Sequence, residues 1–209
     1  MYKGKIYLRD FFKTFRKVWG FQYEGFPYSG IWMFTGGQGR GKTLNAVQCV
    51  LDIKKEFPSC RIISNIPLDI EGVEEYKGLI SFEENNGIDG IVYFLDEIQV
   101  LYSSMQSKGV TDSSLYIWSQ NRKNRRVIIG TSQRFSRVAK PIREQVRWVH
   151  DMHKVAFNFY SYRMYDGYEF DDDGNYLGEK PPLSFAMPSI QAYDAYDTRQ
   201  IVIRKDRLI

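Results

Sequence analysis

The chain has 209 residues, 43% of them hydrophobic and 26% charged, and a net charge of +4. That composition excludes a disordered chain, and the length suits a single domain with a sizeable core. Two cysteines, Cys49 and Cys60, are too few for a disulfide scaffold, and no apolar run approaches the roughly 18–20 residues that cross a bilayer. The expectation is a soluble intracellular protein.

In chain order, residues 31–35 (IWMFT) predict a short buried strand, followed by a glycine-rich turn. Residues 43–56 carry Leu44, Val47, Val50, Leu51 and Ile53 at helical spacing. Residues 61–64 predict a second strand, 79–82 a third, and 91–95 a wholly apolar one. A helix is expected over 113–124 and another buried strand over 127–131. Strands that are apolar throughout and alternate with helices predict an α/β fold, its central sheet mainly parallel and covered by helices. Further on, Val155, Phe157 and Phe159 alternate with Asn158, Tyr160 and Tyr162, and residues 171–175 (DDDGN) make a strong turn. These predict an antiparallel aromatic hairpin at the sheet edge with an acidic tip. The expected organisation is one domain: a basic extension (1–28), a core (29–150), and the hairpin with a C-terminal segment (151–209).

Charge is unevenly spread. Between 119 and 147, Arg122, Lys123, Arg125, Arg126, Arg134, Arg137, Lys140, Arg143 and Arg147 face Glu144 alone. Between 164 and 180 the sign reverses, and Lys3, Lys5, Arg9, Lys13, Arg16 and Lys17 make the first twenty residues basic again. Such patches fit either a polyanionic partner or a solvated surface.

The strongest motif is residues 36–43 (GGQGRGKT), a complete G-x-x-x-x-G-K-T between a predicted strand and a predicted helix. Gly36, Gly37, Gln38, Gly39, Arg40 and Gly41 form a loop whose N–H groups wrap phosphates, and Lys42, Thr43 and Leu44 open the helix whose dipole points at the same anion. Lys42 is expected to reach the β- and γ-phosphates of ATP, and the Thr43 hydroxyl to ligate Mg2+. The second motif, residues 91–97 (IVYFLDE), ends a buried strand in two carboxylates. It assigns Asp96 to the Mg2+ shell and Glu97 as general base for the attacking water, a pairing that fits hydrolysis for motion. The strand over 127–131 leads to Gln133, which can be aimed at the γ-phosphate or the water. Arg122, Arg125 and Arg126 would share one face of a helix and are read as phosphate ligands, for DNA or for a neighbouring subunit's nucleotide. His150 and His153 lack a metal-ligand set and read as structural, Ser103 and Ser104 have no His partner, and no metal beyond Mg2+ is implied.

Together, residues 36–43, the FLDEIQ at 94–99 and the RKNRRVIIGTSQR at 122–134 resemble the FtsK/HerA-type branch of P-loop ATPases. Within it the sequence is similar to viral genome-packaging ATPases and to zonular occludens toxin-like phage assembly ATPases. Ile142-Arg143 with Val146, Ser64-Asn65-Ile66 and Tyr196-Asp197-Thr198 add to the likeness. The resemblance implies a P-loop NTPase fold, a glutamine role for Gln133 and a trans-acting arginine at Arg122, Arg125 or Arg126. It also implies a homo-oligomeric ring, usually hexameric, that threads DNA. Filamentous-phage members carry a transmembrane segment after the ATPase domain, and none is evident here, which favours a soluble packaging motor or an excised or shortened homologue.

The expected function is therefore ATP-driven DNA translocation that packages a viral genome, in the host cytoplasm or attached to the virion, with capsid-vertex or phage membrane proteins as further partners. Export of a phage at a membrane, and nucleotide-gated DNA binding without movement, are the alternatives.

Overall fold

The computed structural model describes residues 25–82, 89–102, 121 and 124–196. The elements are β1 (Gly30–Thr35), α1 (Lys42–Glu56), β2 (Arg61–Ser64), β3 (Val73–Glu75), β4 (Ile91–Leu95), α2 (Ile98–Leu101), β5 (Arg126–Ser132), α3 (Lys140–Arg143), β6 (Val146–Ala156), β7 (Phe159–Asp166), β8 (Leu183–Ala186) and α4 (Ile190–Asp194). All eight strands join one sheet in the order β3-β2-β4-β5-β1-β6-β7-β8. Pairings from β3 through β6 are parallel, while β6–β7 and β7–β8 are antiparallel.

Strand alternation sends side chains into two cores. Trp32, Phe34, Val92, Phe94, Val127 and Ile129 meet Val47, Val50 and Ile53 of α1 on one face. Ile31, Met33, Ile91, Tyr93, Leu95 and Ile128 pack with Ile98, Phe135, Val138 and Ile142 on the other. Each fully buried aliphatic or aromatic side chain contributes roughly 1.5–3 kcal/mol, so burial on both sides holds these short strands in place. The mainly parallel, helix-covered sheet matches the expected fold class.

Some elements differ from expectation. Residues 79–82 form no strand; Gly78–Phe82 is a 3-10 helix, and the additional edge strand is β3. Its sequence, VEE, is half-buried to exposed, so it lacked the apolar signal of an inner strand. The hairpin does exist, but its tip is Phe157-Asn158, within the alternating stretch, and not the acidic turn. Phe157 takes a left-handed conformation (φ 37) and is 95% exposed. A period of two cannot mark where a strand reverses, because residues flanking a tight turn continue to alternate. The DDDGN turn lies further on, between Phe170 and Tyr176, which form an isolated bridge.

The helix expected over 113–124 lies mostly outside the described residues. Asn124 and Arg125 sit in a turn, Arg125 with φ 47, and Arg126 is the first residue of β5. Arg125 and Arg126 therefore do not share a helix face. Among the described residues no helix is long and apolar enough to cross a membrane.

Candidate nucleotide-binding site

Register brings the chemistry together. β5 lies between β1 and β4, with Thr35 opposite Ser132 and Leu95 opposite Gly130. The C-terminal ends of β1, β4 and β5 thus align, and the residues just beyond them converge on the start of α1. This is the edge of a parallel sheet where ligands are bound.

The loop between β1 and α1 is shaped by its glycines. Gly41, immediately before α1, has φ 80, and a Cβ there would lie 2.2 Å from a ring carbon of Tyr160. At Gly36, φ is 137, and a Cβ would come within 2.6 Å of the Met152 carbonyl oxygen. The loop is pressed against β6 and β7, so only glycine fits at either place. Lys42 is buried, its Nζ donating to the Gly37 carbonyl at 3.3 Å and standing 4.0 Å from Glu97 Oε1.

Behind the loop, one carboxylate oxygen ties the ends of β4 and β5 to the start of α1. Asp96 Oδ1 accepts from Thr43 Oγ1 at 2.8 Å and from Thr131 Oγ1 at 2.7 Å. The Thr131 hydroxyl in turn accepts from the Glu97 backbone N–H at 2.8 Å. Asn65, beyond β2, clamps the Asp96 backbone from both sides: its Oδ1 accepts from Asp96 N at 2.7 Å and its Nδ2 donates to Asp96 O at 2.9 Å. Asp96 is 4% exposed. Burial pushes its carboxyl above the ordinary value; hydrogen bonds from Thr131 and Thr43 oppose this, Glu97 adds to it and Lys42 counters it. Glu97 is held in a left-handed conformation (φ 49) at the start of α2, and its Oε2 accepts from Gln99 Nε2.

Gln133 is exposed and lines a cleft of about 460 Å³ with Thr35, Gly36, Gly37, Arg40 and Asp151. Its Oε1 accepts from Arg137 Nη1 at 3.2 Å. The structure therefore brings Gln133 to the mouth of the loop, and Thr43, Asp96, Glu97 and Lys42 to its floor.

The arginine cluster is not brought there as a unit. Arg126 is 1% exposed and donates to the Phe82 carbonyl, fastening the 3-10 turn over the second core. Burial pushes its guanidinium down from the usual value, and Tyr93 opposes that shift. The expectation that Arg126 reaches a neighbouring subunit is corrected: its side chain is enclosed. Arg125 is half-buried in the turn, and Arg122 lies outside the described residues, as do Ser103 and Ser104. Part of the basic block is also engaged within the fold. Lys140 pairs with Asp172 at 2.7 Å, Arg143 Nη2 donates to the Asp172 carbonyl at 2.6 Å, and Arg147 lies 3.4 Å from Asp166. The acidic stretch folds back on the basic one.

His150 is structural as expected: it stacks on Phe34 at 4.5 Å, and burial pushes its pKa down to about 3, so it is neutral at physiological pH. His153 is different, since it contacts Arg40 of the loop. Thr131 and Asn65 also went unassigned in the sequence. Both lie in segments that carry the family likeness, but their individual roles had no signal beyond position, a polar residue at or just after the end of a buried strand. Among the described residues no cluster of His, Cys, Asp and Glu forms a separate metal site.

The sheet and the loop between β1 and α1 have the fold of P-loop NTPases. No protein-family model and no curated protein matches the sequence. Solved structures do match. The N-terminal domain of zonular occludens toxin from Neisseria meningitidis aligns with TM-score 0.60 at 15% identity, over 81% of this chain and 99% of that one. The genome-packaging NTPase B204 of Sulfolobus turreted icosahedral virus 2, in complex with sulfate, aligns with TM-score 0.53 at 13% identity, over 77% and 97%. The same NTPase in complex with ATP-gammaS aligns with TM-score 0.52 at 12% identity, over 77% and 98%. The sequence resemblance to these two groups thus extends to the fold.

Proposed function

We propose that this chain is an ATPase of the FtsK/HerA type that couples hydrolysis to DNA translocation during packaging of a viral genome. The observation that carries the reading is the convergence of Thr43 and Thr131 on Asp96 Oδ1, with Lys42 and Glu97 at the same loop. The loop's backbone and Lys42 bind the phosphates of ATP, with the α1 dipole behind them. A hydroxyl and a carboxylate 2.8 Å apart are hard oxygen donors of the kind Mg2+ takes, so Thr43 and Asp96 would hold it. When bound, the ion neutralises charge on the phosphate oxygens. Glu97 accepts the proton of the attacking water, with Gln99 and the Thr131–Glu97 hydrogen bond fixing its direction. Gln133 reads the terminal phosphate from the mouth of the cleft. Assembly as a ring would let a neighbour supply an arginine, with Arg122 and Arg125 as the remaining members of the cluster. B204, similar in fold, is described as a DNA-packaging ATPase, which supports this reading.

The test is ATP turnover with and without duplex DNA, combined with a salt titration of DNA binding. Duplex-stimulated turnover and affinity that falls with salt, at a log–log slope near −0.9 per phosphate contact, support the motor. Slow turnover that DNA does not change would sink it. A second reading, phage assembly or export at a membrane, is favoured by the fuller alignment with the zonular occludens toxin domain. Stimulation by vesicles or coat protein in place of duplex DNA would select it.

A further inference from the structure

Arg40 and two residues of β6, more than a hundred positions away, form a chain across the mouth of the loop. Arg40 Nη1 lies 2.8 Å from His153 Nδ1, and His153 Nε2 lies 3.0 Å from Asp151 Oδ2. A guanidinium has donors only, so Nδ1 must accept; the proton of the neutral ring is then on Nε2, which donates to the carboxylate. The direction of the relay is fixed: Arg40 to His153 to Asp151. The Arg40 side chain folds back over the start of the loop. A Cβ on Gly37 would meet its Nε at 3.3 Å, and one on Gly36 its Cδ at 3.6 Å. Arg40 and Asp151 line the same cleft as Gln133. The contact with His153 uses one of the five N–H donors of the guanidinium, leaving the group geometrically able to engage an anion in the cleft.

We propose that Arg40 is a ligand for the terminal phosphate of ATP, and that His153 and Asp151 are its positioning residues. The proposal rests on the nucleotide-site reading above and adds to it a role for β6. His153 and Asp151 flank Met152, whose carbonyl abuts Gly36, so strand and loop form one wall. Holding Arg40 in advance lowers the cost of ordering a long side chain when the triphosphate binds. The relay also ties the terminal phosphate to the strand that leads into the hairpin tip at Phe157-Asn158. A diphosphate lacks the group Arg40 addresses, so the relay selects triphosphate over diphosphate.

The experiment measures the affinity of the intact chain for ATP-gammaS and for ADP, each with Mg2+, and the KM and kcat of hydrolysis. For Arg40→Ala and His153→Ala, affinity for ATP-gammaS and 1/KM should fall about tenfold, as expected for a charge-assisted hydrogen bond, while ADP affinity changes less than twofold. The double variant should lose no more than Arg40→Ala alone, because the two act in one line. His153→Gln, whose amide oxygen can accept from Arg40, should recover most of the loss. His153 is partly exposed and its removal leaves the cores intact. Full additivity in the double variant, equal losses for ADP and ATP-gammaS, or no effect of His153→Ala would each overturn the relay. If the relay alone fails, the wild type still binds nucleotide and Lys42→Ala abolishes that binding. If the wild type binds no nucleotide, both readings fall.

Discussion

Thr131 is the residue whose replacement tests the site most sharply, because its hydroxyl serves two partners at once. It is fully buried, donates to Asp96 Oδ1 at 2.7 Å and accepts from the Glu97 N–H at 2.8 Å. Thr131→Val keeps the shape and removes both bonds. Losing a hydrogen bond to a charged group costs about 1.5–3 kcal/mol, and stranding a buried N–H costs about 1–3 kcal/mol. With partial relaxation the sum is about 2–5 kcal/mol, or roughly 4–20 °C in Tm for a chain of this size. Thr131→Ser keeps the hydroxyl and gives up one methyl, about 0.5–1.5 kcal/mol. The functional effect is separate: without its N–H tied down, Glu97 is no longer fixed in its left-handed conformation, and kcat should fall about tenfold or more. Thermal melts and steady-state ATPase assays on the two variants make the comparison. A Thr131→Val protein that melts within about 2 °C of wild type and hydrolyses ATP at the wild-type rate would refute the reasoning, since the expected loss is at least twice that.

Other consequences are equally direct. Gly41→Ala places a Cβ 2.2 Å from the Tyr160 ring at φ 80, so it should lose about 1–3 kcal/mol of stability and most nucleotide affinity, measured by melting and by ADP titration. Asp96→Asn keeps an oxygen acceptor for both threonines but removes a carboxylate that is costly to ionise. Because the folded carboxyl is raised above its unfolded value, its contribution is present at low pH and is lost as pH rises through the folded value. The Asn variant should therefore gain Tm relative to wild type at neutral pH, the gain should vanish below the ordinary carboxylate range, and Mg2+-dependent hydrolysis should be lost. Arg126→Ala should destabilise by about 2–4 kcal/mol, through a lost buried side chain and a stranded Phe82 carbonyl, and its ATPase activity should fall only as far as the folded fraction does, measured by melting and turnover together.

How far the sequence could be read follows from the range of each signal. The loop between β1 and α1 is a local pattern: glycines, a lysine and a hydroxyl at fixed spacing, bounded by strand and helix, and all of it was legible. Asp96 and Glu97 were legible because a wholly apolar strand ended on them. Thr131 and Asn65 were visible as strand ends but carried no role, since their meaning depends on β5 lying between β1 and β4 and on β2 flanking β4. Sheet order is a tertiary property that no local pattern encodes. The same holds for His153, whose partner Arg40 is 113 positions away. The arginines misled for a different reason. Spacings of three and four suit a helix face, but the positive φ of Arg125 breaks the chain into a turn and sends Arg126 into the core. From the sequence, the charged stretches fit a polyanionic partner or a solvated surface, but Lys140, Arg143 and Arg147 of the basic stretch meet Asp172 and Asp166 of the acidic one across the fold.

In the proposed mechanism Glu97 activates water for ATP held by Lys42 and the loop around it. This role is tested most directly by measuring Mg2+-ATP binding and hydrolysis side by side for the wild type and Glu97→Gln, with Lys42→Ala as the binding-dead reference. Glu97→Gln should bind ATP with close to wild-type affinity and turn it over at least about 100-fold more slowly, the range expected for a lost general base. A Glu97→Gln protein that hydrolyses ATP at the wild-type rate would contradict that mechanism.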